Sequence, residues 1–305
     1  MNIVAVLLIV LIVLAVLLVC YGVCYFVYRR HMHRSIGQTL VPTETVKRPP
    51  PIFAPIGTGL FRTTRNKQTV PMDVYQNADN YCPGFTSVIL DDEDAIRYLE
   101  WFDHAYQFKG TSMVLSTAER FRTLRLGAHK ADLLRYTLLF HFGGLYLDIK
   151  TRFRVPFTSA GKFDDMSSPF LYTCIGAKNH WRKKYINYTH NGVIGCTPGH
   201  PILAECIHLC LTLPDWILNR HYLSFCHFLG VAIADRYFDG GYLQPGVTSD
   251  NSLQLLAETV SDTDFSECGG KSDHYGFCAV IRDGITGKVA YLGRDPEYGA
   301  NGYGT

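Results

Sequence analysis

The stretch KADLLRYTLLFHFGGLYLDIK, Lys130 to Lys150, decides how the rest of the chain is read. Leu134, Leu138 and His141 fall on one line and Ala131, Leu139 and Phe142 on a neighbouring one, which predicts a helix from about Ala128 to Phe142 with a broad apolar stripe facing a sheet. Gly143 closes that helix, because a glycine just past the last turn takes the left-handed conformation at little cost. Gly144-Leu145-Tyr146-Leu147-Asp148 then reads as a short buried strand that stops on a carboxylate. Asp132 and Arg135 lie three residues apart and share one helical face. Their neighbours are apolar on nearly every side, so the pair is expected to be partly buried, where two charges cost desolvation energy unless they are satisfied.

Outward from this stretch, Gly59-Leu60-Phe61-Arg62-Thr63 and Thr86-Ser87-Val88-Ile89-Leu90 read as two further strands. Asp91-Asp92-Glu93-Asp94 starts a helix whose buried face is Ala95, Ile96, Leu99 and Phe102; these acids suit the positive end of the helix dipole better than a metal. Strands alternating with helices imply an α/β domain with a largely parallel sheet. Ligands of such folds gather outside the carboxyl ends of the strands, which places a ligand at Asp148.

The chain has 305 residues, 47% of them apolar and 18% charged, with a formal net charge of +2. This near-neutral balance, with scattered basic residues, excludes nucleic acid as the expected partner. From Ile3 to Tyr28 no residue carries a charge, and a helix over that run would reach roughly 39 Å, enough to cross a hydrocarbon core of about 30 Å. Residues 1–28 are therefore expected to be a single transmembrane anchor and the proline-rich residues 29–55 a stalk, leaving 56–305 as one domain. Eight cysteines lie outside the apolar run, an even number that permits disulfides without requiring them. Asn187-Tyr188-Thr189 is a glycosylation sequon. No Walker loop, dinucleotide fingerprint, GxSxG elbow or HExxH pair is present, so hydrolase templates find no match.

Ala131-Asp132-Leu133-Leu134-Arg135-Tyr136 followed by Phe142-Gly143-Gly144-Leu145-Tyr146-Leu147-Asp148 resembles the signature of the DXD-containing sugar transferases, the family of the yeast outer-chain mannosyltransferase and of capsular polysaccharide synthesis proteins. Weaker similarity extends from Asn80 to Asp94 and over Asn191-Gly192-Val193-Ile194 and Pro198-Gly199-His200-Pro201. The resemblance implies a GT-A type, Rossmann-like domain, a nucleotide-sugar donor, a glycan or glycolipid acceptor and hexose transfer with retention. It implies that Asp132 and Arg135 hold the donor sugar, that Asp148 contacts the ribose and metal region, and that Asn191 lies near the transferred sugar. Tyr146 faces the same pocket if strand alternation holds from Asp148.

Lys150 stands where the family has its second acid. Either its ammonium neutralises the departing diphosphate, or a divalent cation, Mn²⁺ or Mg²⁺, is held by Asp148 and another acid that the sequence does not identify. A non-catalytic protein that binds nucleotide sugars through a degenerate DXD site is the alternative reading. Anchored relatives face the lumen of the Golgi and secretory pathway, whereas the basic cluster Arg29 to Arg34 would by itself leave the domain on the cytosolic side. Orientation stays open at this point.

Overall fold

The computed structural model describes residues 9–16, 19, 23, 39–43, 49–50, 58–108, 115–158, 160–163, 168–177, 187–219, 221–273 and 276–293. Most of the expected anchor lies outside these residues; 9–16 are helical and their apolar side chains are exposed. Among the described residues no helix is long and apolar enough to cross a membrane.

The expected stalk is not a bare spacer along its whole length. Leu40–Pro42 forms strand β1, which pairs antiparallel with β4, Tyr106–Phe108. Leu40 is buried in the main core, and the Thr43 N–H donates to the Ala105 carbonyl at 2.8 Å. The chain thus joins the folded body by residue 40 rather than 56. The prolines of this tract do not prevent this, because an edge strand needs only some of its N–H groups.

Among the described residues the main sheet has ten strands. Across it run β3 (Thr86–Leu90), β2 (Gly59–Thr63), β5 (Gly144–Leu147), β8 (Thr189–Cys196), β7 (Leu171–Ile175), β10 (Leu253–Ser261), β11 (Cys278–Arg282), β12 (Val289–Leu292) and β6 (Arg152–Phe153), with β9 (Gly246–Val247) paired to β10. The sheet is mixed, not largely parallel. β2 is parallel to β3 and β5, and β7 to β10, but β8 runs antiparallel to both β5 and β7, and β10, β11, β12 and β6 follow one another antiparallel. The sequence rule of alternating strands and helices holds for the first half of the chain. It fails after β5, where among the described residues β6, β7 and β8 follow one another with no α-helix between them to restore direction.

Seven helices among the described residues accompany the sheet: α1 (Met72–Tyr81), α2 (Asp92–Ala105), α3 (Thr117–Thr123), α4 (Gly127–Phe142), α5 (Pro201–Thr212), α6 (Asp215–Leu218) and α7 (Ser224–Tyr237). The larger core joins Phe61, Tyr146 and Ile194 of the sheet to apolar side chains of α2, α4, α5 and α7. Leu60, Leu145 and Leu147 point to a second cluster with Ala78 of α1 and the aromatic rings of Phe153, Phe163 and Tyr172. Strand alternation therefore assigns Tyr146 to the α4 side of the sheet, between two leucines on the other side.

Helix α4 differs from expectation in one respect. Every residue from Leu133 to Phe140 is buried, so it has no single apolar stripe; it is enclosed between the sheet and the other helices. A helix that is apolar all round is a buried one. The double glycine after it has a separate steric cause at each position. Gly143 (φ 65°) ends the helix, and a Cβ there would lie 2.5 Å from Pro198 Cδ. Gly144 (φ 86°) starts β5, where a Cβ would lie 2.4 Å from the Gly59 carbonyl oxygen of β2.

Candidate functional site

Because α4 is enclosed, Asp132 and Arg135 are buried with it; their side chains are 4% and 5% exposed. The Asp132 Oδ1 lies 3.4 Å from Arg135 Nε, and Arg135 Nε also donates to the Ala131 carbonyl at 3.2 Å. One terminal nitrogen of Arg135 donates to the Asn191 backbone carbonyl of β8, and the other lies 3.2 Å from Asp148 Oδ1 at the end of β5. The guanidinium carbon stands 4.1 Å above the Tyr146 ring, a cation–π contact that covers its remaining face. Asn191 Nδ2 donates to Asp132 Oδ1 at 2.9 Å and to the Tyr136 hydroxyl at 2.8 Å, and its Oδ1 accepts from Thr189 Oγ1 at 2.7 Å. The Tyr136 hydroxyl in turn donates to the Phe225 carbonyl at 3.0 Å. The Tyr146 hydroxyl shares a 2.8 Å hydrogen bond with Thr63 Oγ1 of β2.

Five residues singled out in the sequence, Asp132, Arg135, Tyr146, Asp148 and Asn191, thus form one network drawn from α4, β5 and β8. The sixth, Lys150, lies half-buried in the turn after β5, where the Asp148 carbonyl accepts from the Thr151 N–H at 2.8 Å. Ile149 anchors that turn by packing with Val74 and Ile89. Thr63 and Tyr136 belong to the network without having been assigned a part in it from sequence. Tyr136 was detectable in principle, four residues after Asp132 and so on the same helical face.

The electrostatics follow from burial. Desolvation pushes the Asp132 carboxyl above the usual carboxylate range, opposed by the Arg135 charge and the Asn191 bond. For Arg135, desolvation alone would favour the neutral form, but Tyr146, Asp132 and Asp148 outweigh it and hold the guanidinium above its ordinary value. The cation is permanent. Asp148, with 43% of its side chain exposed, carries this buried charge network to solvent.

A cleft of about 260 Å³ opens beside the network at the carboxyl ends of β2 and β3; the sequence placed the ligand at the end of β5 instead, and Asp132, Arg135, Tyr146, Asp148, Lys150 and Asn191 do not line this cleft. Thr63 belongs to both the cleft wall and the network. The wall carries Arg65, Arg125 and Lys130 together with the carboxylates of Asp91 and Asp92, and Gly127 and Lys130 bring the first turn of α4 to it. Leu126 supplies no side-chain cap, so that turn starts without a side-chain acceptor for its first N–H groups.

A second feature adjoins Asp148 on the strand side. His190 Nδ1 lies 3.1 Å from Glu258 Oε1 of β10, and Glu258 Oε2 accepts from the Ala177 N–H at 2.9 Å. His190 Nε2 is buried and has no hydrogen-bond partner among the described residues. The sequon is engaged by the fold: Asn187 Nδ2 donates to the Gly241 carbonyl at 2.6 Å, its Oδ1 accepts from Leu243 N–H at 3.0 Å, and Tyr188 and Thr189 are buried.

Other polar clusters resolve into local structure. Asp91 and Asp94 form a reciprocal capping box at the start of α2. Cys206, His208 and Cys210 are buried in α5, and among the described residues no group of three or more His, Cys, Asp or Glu side chains is arranged to hold a metal. Cys268 and Cys278 form a disulfide. Two late segments also resemble the family's closing segment: Arg294-Asp295-Pro296-Glu297-Tyr298 lies outside the described residues and Asp273-His274-Tyr275-Gly276 does so in part.

Residues 69–166 match the family described as a glycosyltransferase sugar-binding region containing a DXD motif. The matched segment runs from the start of α1 through β5 and its turn, and so contains Asp132, Arg135, Tyr146, Asp148 and Lys150. A similar solved structure is that of the PaToxG glycosyltransferase, at 13% identity and a TM-score of 0.38, covering 70% of this chain and 76% of that one. No curated protein sequence matches the chain.

Proposed function

We propose that the protein is a glycosyltransferase that moves a hexose from a nucleotide-sugar donor to a hydroxyl of a glycan or glycolipid, with retention at the anomeric carbon. The observation that carries this reading is the buried Asp132–Arg135–Asn191 network reaching solvent through Asp148, of which Asp132, Arg135 and Asp148 lie inside the segment that matches the sugar-binding region. A guanidinium and carboxylate fixed this firmly are prearranged to grip sugar hydroxyls, and they lose little freedom when a donor arrives. The cleft beside them, with Arg65, Arg125 and Lys130 on its wall, is taken to receive the nucleotide half of a donor, in the manner of a GT-A domain.

In this mechanism Asp132 and Arg135 hold the donor sugar, with Asn191 and Tyr146 fixing their positions. Asp148 addresses the ribose or diphosphate end. As the bond from the anomeric carbon to the diphosphate breaks, negative charge gathers on the leaving group, and Lys150 in the adjoining turn is the residue placed in sequence to offset it. A divalent cation, when bound, would supply the same charge stabilisation, with Asp148 as one ligand.

The uncharged run Ile3 to Tyr28 anchors the domain to a membrane, by its length and composition. The Cys268–Cys278 disulfide favours an oxidising compartment, and hence the lumenal side of the secretory pathway. The replacement of the second DXD acid by Lys150 favours, as the competing reading, a protein that binds donor without transferring it.

The test is a panel of nucleotide sugars screened by thermal stabilisation and then by donor hydrolysis. The expected result is stabilisation by one nucleotide class with slow hydrolysis, both lost in Asp148→Ala at unchanged fold. Stabilisation without turnover under every metal condition would establish the binding protein instead. Absence of any response would refute both readings.

A further inference from the structure

Arg62 is a buried charge outside the network. It stands on β2 beside Thr63, is fully inaccessible, and none of its guanidinium nitrogens has a hydrogen-bond partner among the described residues. The groups that act on it most are Arg152, the Cys82 thiol and the Tyr146 and Tyr75 phenols; no carboxylate is among them. Burial pushes the Cys82 thiol up to about 12 even beside this cation, so the thiol keeps its proton and brings no negative charge. Burial and the Arg152 charge lower the Arg62 guanidinium to about 10, and it remains a cation at neutral pH. Water can satisfy its N–H groups but cannot neutralise it.

Its place in the sheet points to the missing counter-charge. Arg62 pairs with Ile89 of β3 and, one residue past the Phe61–Tyr146 pair, comes level with Leu147 at the end of β5. Alternation puts its side chain on the face of Leu60, the α1 side, where Ile149 of the turn after β5 packs with Ile89 and Val74. Arg62 therefore lies on the inner side of the turn that runs from Asp148 to Thr151. Arg152 is buried at the same place, donating to the Ile149 carbonyl at 2.8 Å and the Thr151 carbonyl at 3.4 Å, and Lys150 lies in the turn itself. The carboxylates beside the turn are engaged by other arginines: Asp73 lies 3.4 Å from Arg152 and Asp148 3.2 Å from Arg135.

We propose that Arg62, Arg152 and Lys150 form a fixed cation cluster whose counter-anion is the diphosphate of a nucleotide donor, so that the protein binds nucleoside diphosphates without a divalent cation. The proposal rests on the donor-site reading for the identity of the anion. Arg62 needs no contact with a phosphate oxygen, because a charge held in a low-dielectric interior acts over several ångströms and is in place before the ligand arrives. The same charge is uncompensated in the empty protein, where it opposes folding. Arg62 thus has opposite effects on the two states: it weakens the unliganded fold and strengthens the complex. An arginine with a purely structural role would stabilise both.

The experiment titrates the full chain in excess EDTA with uridine diphosphate and guanosine diphosphate by calorimetry, with thermal melts of the unliganded protein alongside. The wild type should bind at least one of the two. Arg62→Met keeps the bulk and removes the charge, so the unliganded melting temperature should rise by a few degrees while affinity for that diphosphate falls about tenfold or more. Arg62→Lys restores a cation and should keep the affinity within about threefold of wild type, with no gain in melting temperature. An Arg62→Met protein that melts lower, fails to fold or binds as tightly as wild type would overturn the proposal. So would diphosphate binding that appears only when Mn²⁺ or Mg²⁺ is added; the donor site would then stand and only the cation cluster would fall. No response to either diphosphate or to any nucleotide sugar, with or without metal, would remove the donor reading as well.

Discussion

Two aspartates in this molecule have the same local sequence pattern and opposite surroundings. Asp94 on α2 and Asp132 on α4 are both nearly inaccessible, and each has an arginine three residues on, Arg97 and Arg135. Asp94 meets cations that stand in solvent: Arg97 is 59% exposed and Lys67 38%. Its other partner is the backbone of its own helix start. Asp132 meets only buried partners, an arginine and an asparagine brought from a different strand. The first arrangement closes a helix end. The second ties three elements together and opens to solvent at one carboxylate. Spacing along a helix is thus common to caps and sites, and what separates them is the sequence distance of the third partner.

The contrast is tested most severely by removing each arginine. Arg135→Met leaves the Asp132 charge buried and uncompensated, and the expected loss of unfolding free energy is about 3–5 kcal/mol. Arg97→Met removes an exposed partner, whose worth is about 0–1 kcal/mol. Denaturant titration of both variants decides. Equal losses would mean that the two pairs are the same kind of feature.

Next in size is the effect on activity. Asp132→Asn preserves shape and the bond from Asn191 but removes the charge, so donor turnover should fall on the order of 10²-fold or more, with a stability loss smaller than that of Arg135→Met because Asp148 still faces the buried guanidinium. Asp91→Ala, which breaks the capping box, should do the reverse: a loss of about 0.5–2 kcal/mol in stability with turnover unchanged. Donor hydrolysis and thermal melts on the same preparations separate these outcomes, and a drop in turnover for Asp91→Ala would remove the distinction.

The two regions should also respond to pH with opposite sign. For Asp91, desolvation pushes the carboxyl up, but the hydrogen bond from the Asp94 N–H and the Lys67 charge outweigh it and hold the group below its ordinary value. Its contribution is present above the unfolded value of about 3.9 and is lost as pH falls through the lowered native one. Asp132 is raised, chiefly by desolvation, so folding holds its proton more tightly than the unfolded chain does. Its contribution is complete below about pH 3.9 and is lost as pH rises through the raised native value. Stability measured from pH 3 to 7 should therefore lose its falling component in Asp132→Asn and its rising component in Asp91→Asn. Parallel profiles for the two variants would contradict these surroundings.

The same contrast explains what could be read in advance. β2, β3, β5 and the limits of α4 were visible because each follows a local period or a glycine, and local rules govern them. Asp132, Arg135 and Asp148 stood out as charges in apolar runs, and burial is a property of those runs. The mixed sheet was not legible: the reversal of β8 depends on pairing with β5, a contact between residues almost fifty positions apart. Nor was Leu40–Pro42 as a strand, since its partner β4 supplies the reason for its shape.

The smallest expected effect lies at the seam between network and cleft. Thr63 and Tyr146 share one hydrogen bond, and Tyr146 carries the ring on which Arg135 rests. Thr63→Val and Tyr146→Phe each remove that bond, with an expected cost of about 0.5–1.5 kcal/mol, and the ring survives in both. If the hydroxyl pair acts as a unit, the double variant should cost no more than either single one, giving a coupling of similar size in a double-mutant cycle. Turnover should fall only a few-fold, because the bond steadies the ring and touches no donor atom. Additive losses would show that Thr63 and Tyr146 act separately, and the cleft wall would then be mechanically independent of the buried arginine.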